Sequence, residues 1–279
     1  MNLGVINLAG KLKDYRLKNN QIELIYESKI YIVEIIEAGI IHLFDSDYKD
    51  YNSYAVEDYE LTTADTDFEI NNKRGRLLIT TAELIIEIED NFKVDFYDLN
   101  HNPISRDYSG ERDPFIRRNN SNLAEEEGHK LQEELKDKPV EVLKEITAAE
   151  KFYALGDRTG HLNNRGYRYQ LWNTDDPSPH VESFEVLYKS IPFVLGLKDD
   201  YAYGLFFDNS FRSYFDFGKE NNDYFYYAAE GGSLNYYFIN GPSAKKVIES
   251  YTKLTGRTPL PQKWTLGNQQ SRWSYDSRE

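Results

Sequence analysis

Apolar and polar residues alternate with period two through much of the chain. In residues 21–43, rich in Ile, Val and Tyr, one side of an extended chain carries Ile22, Leu24 and Tyr26, then Ile30, Ile32 and, after a slip of register, Ile35. β-Branched and aromatic residues at this spacing predict half-buried strands. The texture recurs in residues 76–88 (RLLITTAELIIEI), with turn chemistry ahead of it at Asn71-Asn72 and Arg74-Gly75. It continues with Phe92, Val94 and Phe96 on one face, before DLNHNP at 98–103 closes a turn. Strands resume at Val140, Val142 and Ile146 and run on through 184–197 and 201–208. Residues 222–240 (NDYFYYAAEGGSLNYYFIN) predict a hairpin of two aromatic strands bent at Gly231-Gly232. Only then does helical spacing take over. Ser243 caps AKKVIESYTKL, whose Val247, Ile248, Tyr251 and Leu254 recur at three and four, with Gly256 as the stop.

Many short strands, Gly/Asn/Asp turns and a late helix predict a mainly β fold, an antiparallel β-sandwich of more than ten strands. No period of 20 to 50 residues argues for a propeller or a solenoid. The most charged stretch, 123–138 (LAEEEGHKLQEELKDK), reads as a solvated insertion, because Leu131 and Leu135 make only a narrow apolar edge. After the helix, Pro259 and Pro261 stiffen a connector, and TLGNQQSRWSY predicts a strand opening a second unit. The expected division is 1–242 for the sandwich, 243–263 for helix and linker, and 264–279 for the start of that unit.

Composition narrows the chemistry. The 279 residues include 47 acidic and 33 basic side chains, five histidines and no cysteine, so disulfides, thiolate metal sites and cysteine nucleophiles are excluded. A formal charge of −14 repels a polyphosphate backbone, and no nucleic-acid partner is expected. No apolar run approaches the ~20 residues of a membrane helix and no basic segment leads into an apolar one at the amino terminus, so a cytoplasmic protein without a membrane partner is expected. His42, His101, His129, His161 and His180 show no metal-ligand spacing, and no metal or cofactor is expected. Gly156, Gly160 and Gly166 lie in LGDRTGHLNNRG, which lacks the spacing of either phosphate-binding fingerprint and reads as a turn.

Three segments stand out. They are 151–166 (KFYALGDRTGHLNNRG), 171–179 (LWNTDDPSP) and 264–275, which ends in Ser271, Arg272 and Trp273. Tryptophan beside Asp and Asn on loops is the vocabulary of sugar binding: rings stack on the C–H faces of a pyranose, and carboxylates and amides meet its hydroxyls. Read in order, FYALGDRTGHLNNRG, WNTDDPSP, LYKSIPFVL, YGLFFDNS and GGSLNYYFINGPSAKKVIESYTKLTGRTPLPQKWTLGNQQSRWSY make the chain similar to the amino-terminal region of glycoside hydrolase family 31, the α-glucosidase and α-xylosidase type. The resemblance is densest from residue 152 to 275. Residues 1–150 share only the strand texture.

The resemblance implies a β-sandwich of the galactose mutarotase type, followed from Trp264 by the first strand of a catalytic (β/α)8 barrel, a unit of about 250 residues. It implies a retaining α-glycosidase acting on an oligosaccharide or α-glucoside, its catalytic aspartates on later barrel strands, so that no residue here takes either role. The sequence is then expected to be a piece of a larger enzyme, inactive alone. The resemblance also implies two substrate-binding residues, Asp175 near the subsite past the scissile bond and Trp273 beside the nonreducing sugar. Relatives often carry tyrosine at the latter position and Glu at that of Asp157. Arg165 and Arg272 are expected to brace loops by pairing with carboxylates. A stand-alone carbohydrate-binding module remains an alternative. An aldose mutarotase is a further one, disfavoured because no histidine has an obvious strand setting beside a glutamate.

Overall fold

The computed structural model describes residues 9–47, 53–57, 67–73, 76–110, 140–175, 180–181, 186–199 and 201–270. Numbered in chain order, the strands fall into three antiparallel sheets. The largest begins as a meander of β1 (Leu12–Lys18), β2 (Gln21–Tyr26), β3 (Ile30–Glu37) and β4 (Ile40–Asp45). It is completed from far along the sequence by β17 (Asn235–Gly241), β14 (Tyr201–Phe207), β13 (Ser190–Lys198) and β11 (Lys151–Gly156). A five-stranded sheet holds β5 (Glu69–Lys73), β6 (Arg76–Thr80), β7 (Ile85–Ile88), β8 (Val94–Tyr97) and β9 (Pro103–Ser105). A four-stranded sheet has the order β10 (Val140–Glu145), β16 (Tyr224–Ala229), β15 (Ser213–Asp216) and β12 (Arg168–Leu171).

Burial follows the pattern in the sequence. In β2 every second residue is buried, Ile22, Leu24 and Tyr26, and the register slip in β3 is a bulge at Ile35 to Glu37. One continuous core joins Ile41, Leu43, Leu205 and Phe238 of the large sheet to Leu77, Ile86 and Phe96 of the five-stranded sheet and Phe215, Phe225 and Tyr227 of the four-stranded one. Phe96 stacks on Phe238 at 3.7 Å, and Phe207 on Tyr227 at 4.0 Å, so aromatic pairs tie each small sheet to the large one. The opposite face of the large sheet carries Phe193, Phe206, Tyr237 and Ile239 and is covered by helix α1 (Ala244–Thr255). Ser243 caps α1 by accepting from the Lys246 N–H, and Gly256 ends it at φ 88°. Val247 and Leu254 are buried, each contributing about 1.5–3 kcal/mol, whereas Ile248 is exposed, so the apolar stripe is narrower than its spacing suggested.

The hairpin expected across 222–240 does not form. β16 pairs with β10 and β15, whereas β17 pairs with β14 and β4, and the Gly231-Gly232 segment carries the chain from one layer to the other. Every residue of both strands is buried, which a two-stranded ribbon with an open face would not allow. Residues 76–88 are two strands, β6 and β7, reversed where the Thr81 N–H donates to the Leu84 carbonyl. Nor is a strand seen from Trp264 among the described residues. Lys263–Leu266 form an exposed 3-10 turn without the neighbouring ladder that a strand requires. The stretch 123–138 lies outside the described residues.

One buried charge touches all three sheets. Alternation in β10 places Val140, Val142 and Lys144 on the core face, and Lys144 is fully buried. Its Nζ lies 2.5 Å from Asp107 Oδ1 and donates to the Val94 carbonyl of β8. It also sits 5.5 Å from the ring of Phe96 and 5.6 Å from that of Tyr236 in β17. Burial works to lower the pKa of this ammonium, but the Asp107 carboxylate more than offsets it and holds Lys144 charged above the usual lysine range. Asp107 is fixed in turn, its Oδ2 accepting from the Val94 N–H and its own N–H donating to Asp95 Oδ1.

Two stability measurements check this picture. Lys144→Met leaves the partly buried Asp107 carboxylate without its cation and should lower the free energy of chemical denaturation by about 3 kcal/mol. Adding Asp107→Asn, which keeps an acceptor for Val94, should recover much of that loss. The second concerns Asp216, whose Oδ1 accepts from the Lys219 and Glu220 N–H groups while Oδ2 has no partner. Burial, then the charge of Glu220, push this carboxyl up to about 6. An acid whose folded pKa is raised contributes its full stability below its unfolded value and loses it as pH rises to the folded one, here between about 3.9 and 6. Asp216→Asn should therefore stabilise the protein by about 1–3 kcal/mol at pH 7.5 and give little gain at pH 4. Thermal midpoints at the two pH values read the difference.

Candidate functional site

Two loops meet at one end of the sandwich because of strand register. β12 and β15 pair with Leu171 opposite Ser213, so the residue leaving β12, Trp172, falls beside the residue entering β15, Arg212. The loop after Trp172 carries Asn173, Thr174 and Asp175, and the loop from β14 to β15 carries Asp208, Asn209, Ser210, Phe211 and Arg212. Between them opens a cleft of about 620 Å³, floored by Leu171 and Phe207 and walled by Trp172, Asn173, Asp208 and Phe211. A second hollow of about 390 Å³ adjoins it and shares Trp172, Ser210 and Phe211, with Arg212 and Glu230 on its far side.

Local bonding holds both loops. The Arg212 guanidinium lies 4.9 Å from the Trp172 ring centroid, a cation–π contact that orients a ring otherwise half exposed. Thr174 Oγ1 donates to the Trp172 carbonyl, and Asn173 Oδ1 accepts from the Ser190 N–H at 2.8 Å. On the facing loop, Asn209 Oδ1 accepts from the Phe211 N–H, an Asx turn, and Asn209 Nδ2 donates to the Gly231 carbonyl. Phe211 rests on the Gly231-Gly232 backbone: a Cβ at Gly231 would stand 2.5 Å from the ring. The glycine pair therefore seats an aromatic side chain at the cleft. Tyr214 Oη donates to Glu230 Oε1, placing a carboxylate at the rim.

Asp175 is exposed, three residues beyond Trp172 on the same loop and outside the lining of the cleft. Trp273 and Arg272 lie outside the described residues. Arg165 does brace its loop, and among the described residues it does so through main-chain carbonyls, its Nη1 donating to Thr147, Ala148 and Glu150. The segment 156–166 is a turn, with Gly156, Gly160 and Gly166 all at positive φ and Asn163 Oδ1 accepting from the Phe152 N–H of β11. Among the described residues no group of three His, Asp or Glu could hold a metal ion.

One histidine does have a strand setting. His42 of β4 stands opposite Glu34 of β3, with Nδ1 3.2 Å from Glu34 Oε2 and Nε2 2.6 Å from Asn235 Oδ1. Burial works to raise the pKa of Glu34, yet hydrogen bonds from His42 and Gln21 outweigh it and hold the carboxyl below its usual value. Both side chains are buried and His42 stacks on Tyr237 at 4.1 Å, so the pair braces the outer face of the large sheet.

The sequence reading missed Asn209, Phe211 and Arg212 as site residues. The available signal was a phenylalanine and an arginine set among Asn and Ser in a short turn.

Comparison with known proteins identifies the family to which the chain belongs. The profile of the glycosyl hydrolase 31 N-terminal galactose mutarotase-like domain matches residues 31–216, and the chain belongs to that family. It is 43% identical over 136 residues to α-glucosidase 2 of Bacillus thermoamyloliquefaciens, a match covering 49% of this chain and 17% of that enzyme. It is 40% identical over 118 residues to the α-xylosidase XylQ of Lactiplantibacillus pentosus, covering 42% of this chain and 15% of that protein. Among solved structures it is similar to a family 31 dextranase of Flavobacterium johnsoniae complexed with glucose, with a TM-score of 0.76, 28% identity, and coverage of 94% of this chain and 30% of that one. The chain thus spans less than a third of the length of these relatives.

The seating of Phe211 can be tested directly. Because the atoms crowding a Gly231 Cβ belong to a half-exposed side chain, Gly231→Ala should cost no more than about 1 kcal/mol in stability while displacing the ring. Proton contacts between the Phe211 ring and the backbone of residues 231 and 232, read by nuclear Overhauser effects, should change.

Proposed function

We propose that the chain is the amino-terminal region of a retaining α-glycosidase of the α-glucosidase kind, in which the sandwich supports a catalytic (β/α)8 barrel and lends a rim to its substrate pocket. The observation that carries this reading is the family match across residues 31–216, together with sequence relatives that are an α-glucosidase and an α-xylosidase. In such an enzyme two carboxyl groups about 5–5.5 Å apart do the chemistry, one attacking the anomeric carbon and one protonating the leaving oxygen. Both belong to the barrel. In this reading 243–263 is the connector, 264–279 opens the barrel, and Trp273 lines the subsite of the nonreducing sugar.

The contribution of the sandwich is positional. Asp175 stands exposed on a loop whose base is fixed by Thr174 and Asn173, where a carboxylate can accept from sugar hydroxyls past the scissile bond. A hydrogen bond to a charged group is worth about 1.5–3 kcal/mol, roughly a 10- to 150-fold factor when it is realised in the transition state. In the polypeptide carrying both this region and the barrel, Asp175→Ala should lower kcat/KM on α-linked disaccharides by that factor with an unchanged thermal midpoint. Unaltered kinetics on every such substrate would remove Asp175 from the site. Absence of α-glycoside hydrolysis by the unaltered polypeptide would remove the reading itself.

A further inference from the structure

The paired hollows at the end of the sandwich have a chemistry of their own, separate from Asp175. We infer that Trp172 and Phe211 form a stacking platform for a glucosyl unit of an α-linked oligosaccharide, placed beyond the sugar that Asp175 would contact. The choice of ligand rests on the glycosidase reading above. The existence of the platform rests on four observations in this chain.

First, both rings are half exposed, at 47% for Trp172 and 52% for Phe211, although they line hollows and neither belongs to the core. Large aromatic rings left open at a concave site mark a ligand surface more often than a packing residue does. Second, the rings are held before any ligand arrives. Arg212 orients Trp172, while the Asn209 Asx turn and the Gly231-Gly232 backbone seat Phe211. Such preorganisation lowers the entropy lost on binding. Third, hydroxyl-matching groups stand around the rings. Asn173, its oxygen held by the Ser190 N–H, brings an amide to the lining of the larger hollow, and Ser210 lines both hollows. Fourth, the charged groups at the site are two carboxylates, Asp208 and Glu230, and one guanidinium, Arg212, whose charge lies over the Trp172 ring, so no net positive charge selects an anion and a neutral polyol suits the site. An apolar face edged by amide, hydroxyl and carboxylate groups is complementary to a pyranose, whose C–H face is apolar and whose rim is hydroxyl.

The test uses the 279-residue chain itself, with maltotriose and isomaltotriose as probes and saturation-transfer NMR to read contact with saccharide protons. Transfer to sugar C–H protons is expected, with dissociation constants on the order of millimolar. Trp172→Ala and Phe211→Ala should each weaken binding roughly two- to tenfold, and Trp172→Phe should restore part of the loss. Ile248→Ala, exposed on α1, should bind as the unaltered chain does. Far-UV circular dichroism and thermal midpoints confirm that each variant folds, and two independent ring deletions guard against failure of one. No transfer at 20-fold molar excess over a millimolar constant, or transfer indifferent to both ring deletions, overturns the platform. These failures are separable from failure of the glycosidase reading: a chain that binds no sugar beside a barrel-bearing polypeptide that hydrolyses one refutes only the platform.

Discussion

A single ammonium group, buried where three sheets converge, sets the terms for the rest of the structure. Lys144 occupies a core position that alternation would otherwise give to an apolar side chain, and desolvating its charge is tolerable only because Asp107 lies 2.5 Å away. To satisfy it, β8 must bring the Val94 carbonyl, β10 must hold its register, and β17 must lay Tyr236 alongside. A displacement of any one sheet would strand a charge in an apolar interior. Hydrophobic burial drives the layers together without direction, whereas this contact fixes how they sit, since Phe96 both stacks on Phe238 and faces the ammonium.

With the layers so fixed, the cleft follows from register. Pairing of Leu171 with Ser213 brings Trp172 to Arg212, and the passage of the chain between layers at Gly231-Gly232 supplies the surface on which Phe211 lies. The site thus draws on β12, on the β14–β15 loop and on the crossing from β16 to β17. None of these segments is exceptional alone. In the proposed glycosidase reading, this construction is what lets the sandwich do more than support a neighbouring barrel.

Much of the fold could be read from residue pattern. Period-two burial in β2, the slip in β3 and the Ser243 cap all declare themselves over a few neighbouring residues, and the structure repeats them. What escaped depends on distant partners. Gly231-Gly232 looks like a hairpin bend because local turn chemistry says only that the chain reverses, not which sheet receives the next strand. Glu34 and His42 are eight residues apart, and only the β3–β4 register shows that they face each other. For the cleft, Trp172 and Asn173 were visible as a loop of tryptophan with Asn and Asp, while Phe211 and Arg212 were silent. Their significance arises from Leu171 lying opposite Ser213, a contact across some forty positions of sequence.

The pairing of β4 with β17 has a consequence for how the protein is made. Residues 40–45 leave the ribosome well before residues 235–241, and at roughly 5–20 residues per second the interval is on the order of 10–40 s. During that time the amino-terminal meander can assemble while β4, apolar along most of its length, keeps an open ladder of peptide groups. Closure of the largest sheet therefore waits on the synthesis of residues 235–241. Until then the open β4 edge offers a ladder to which another chain can pair, so the order of synthesis bears on folding as well as on final stability.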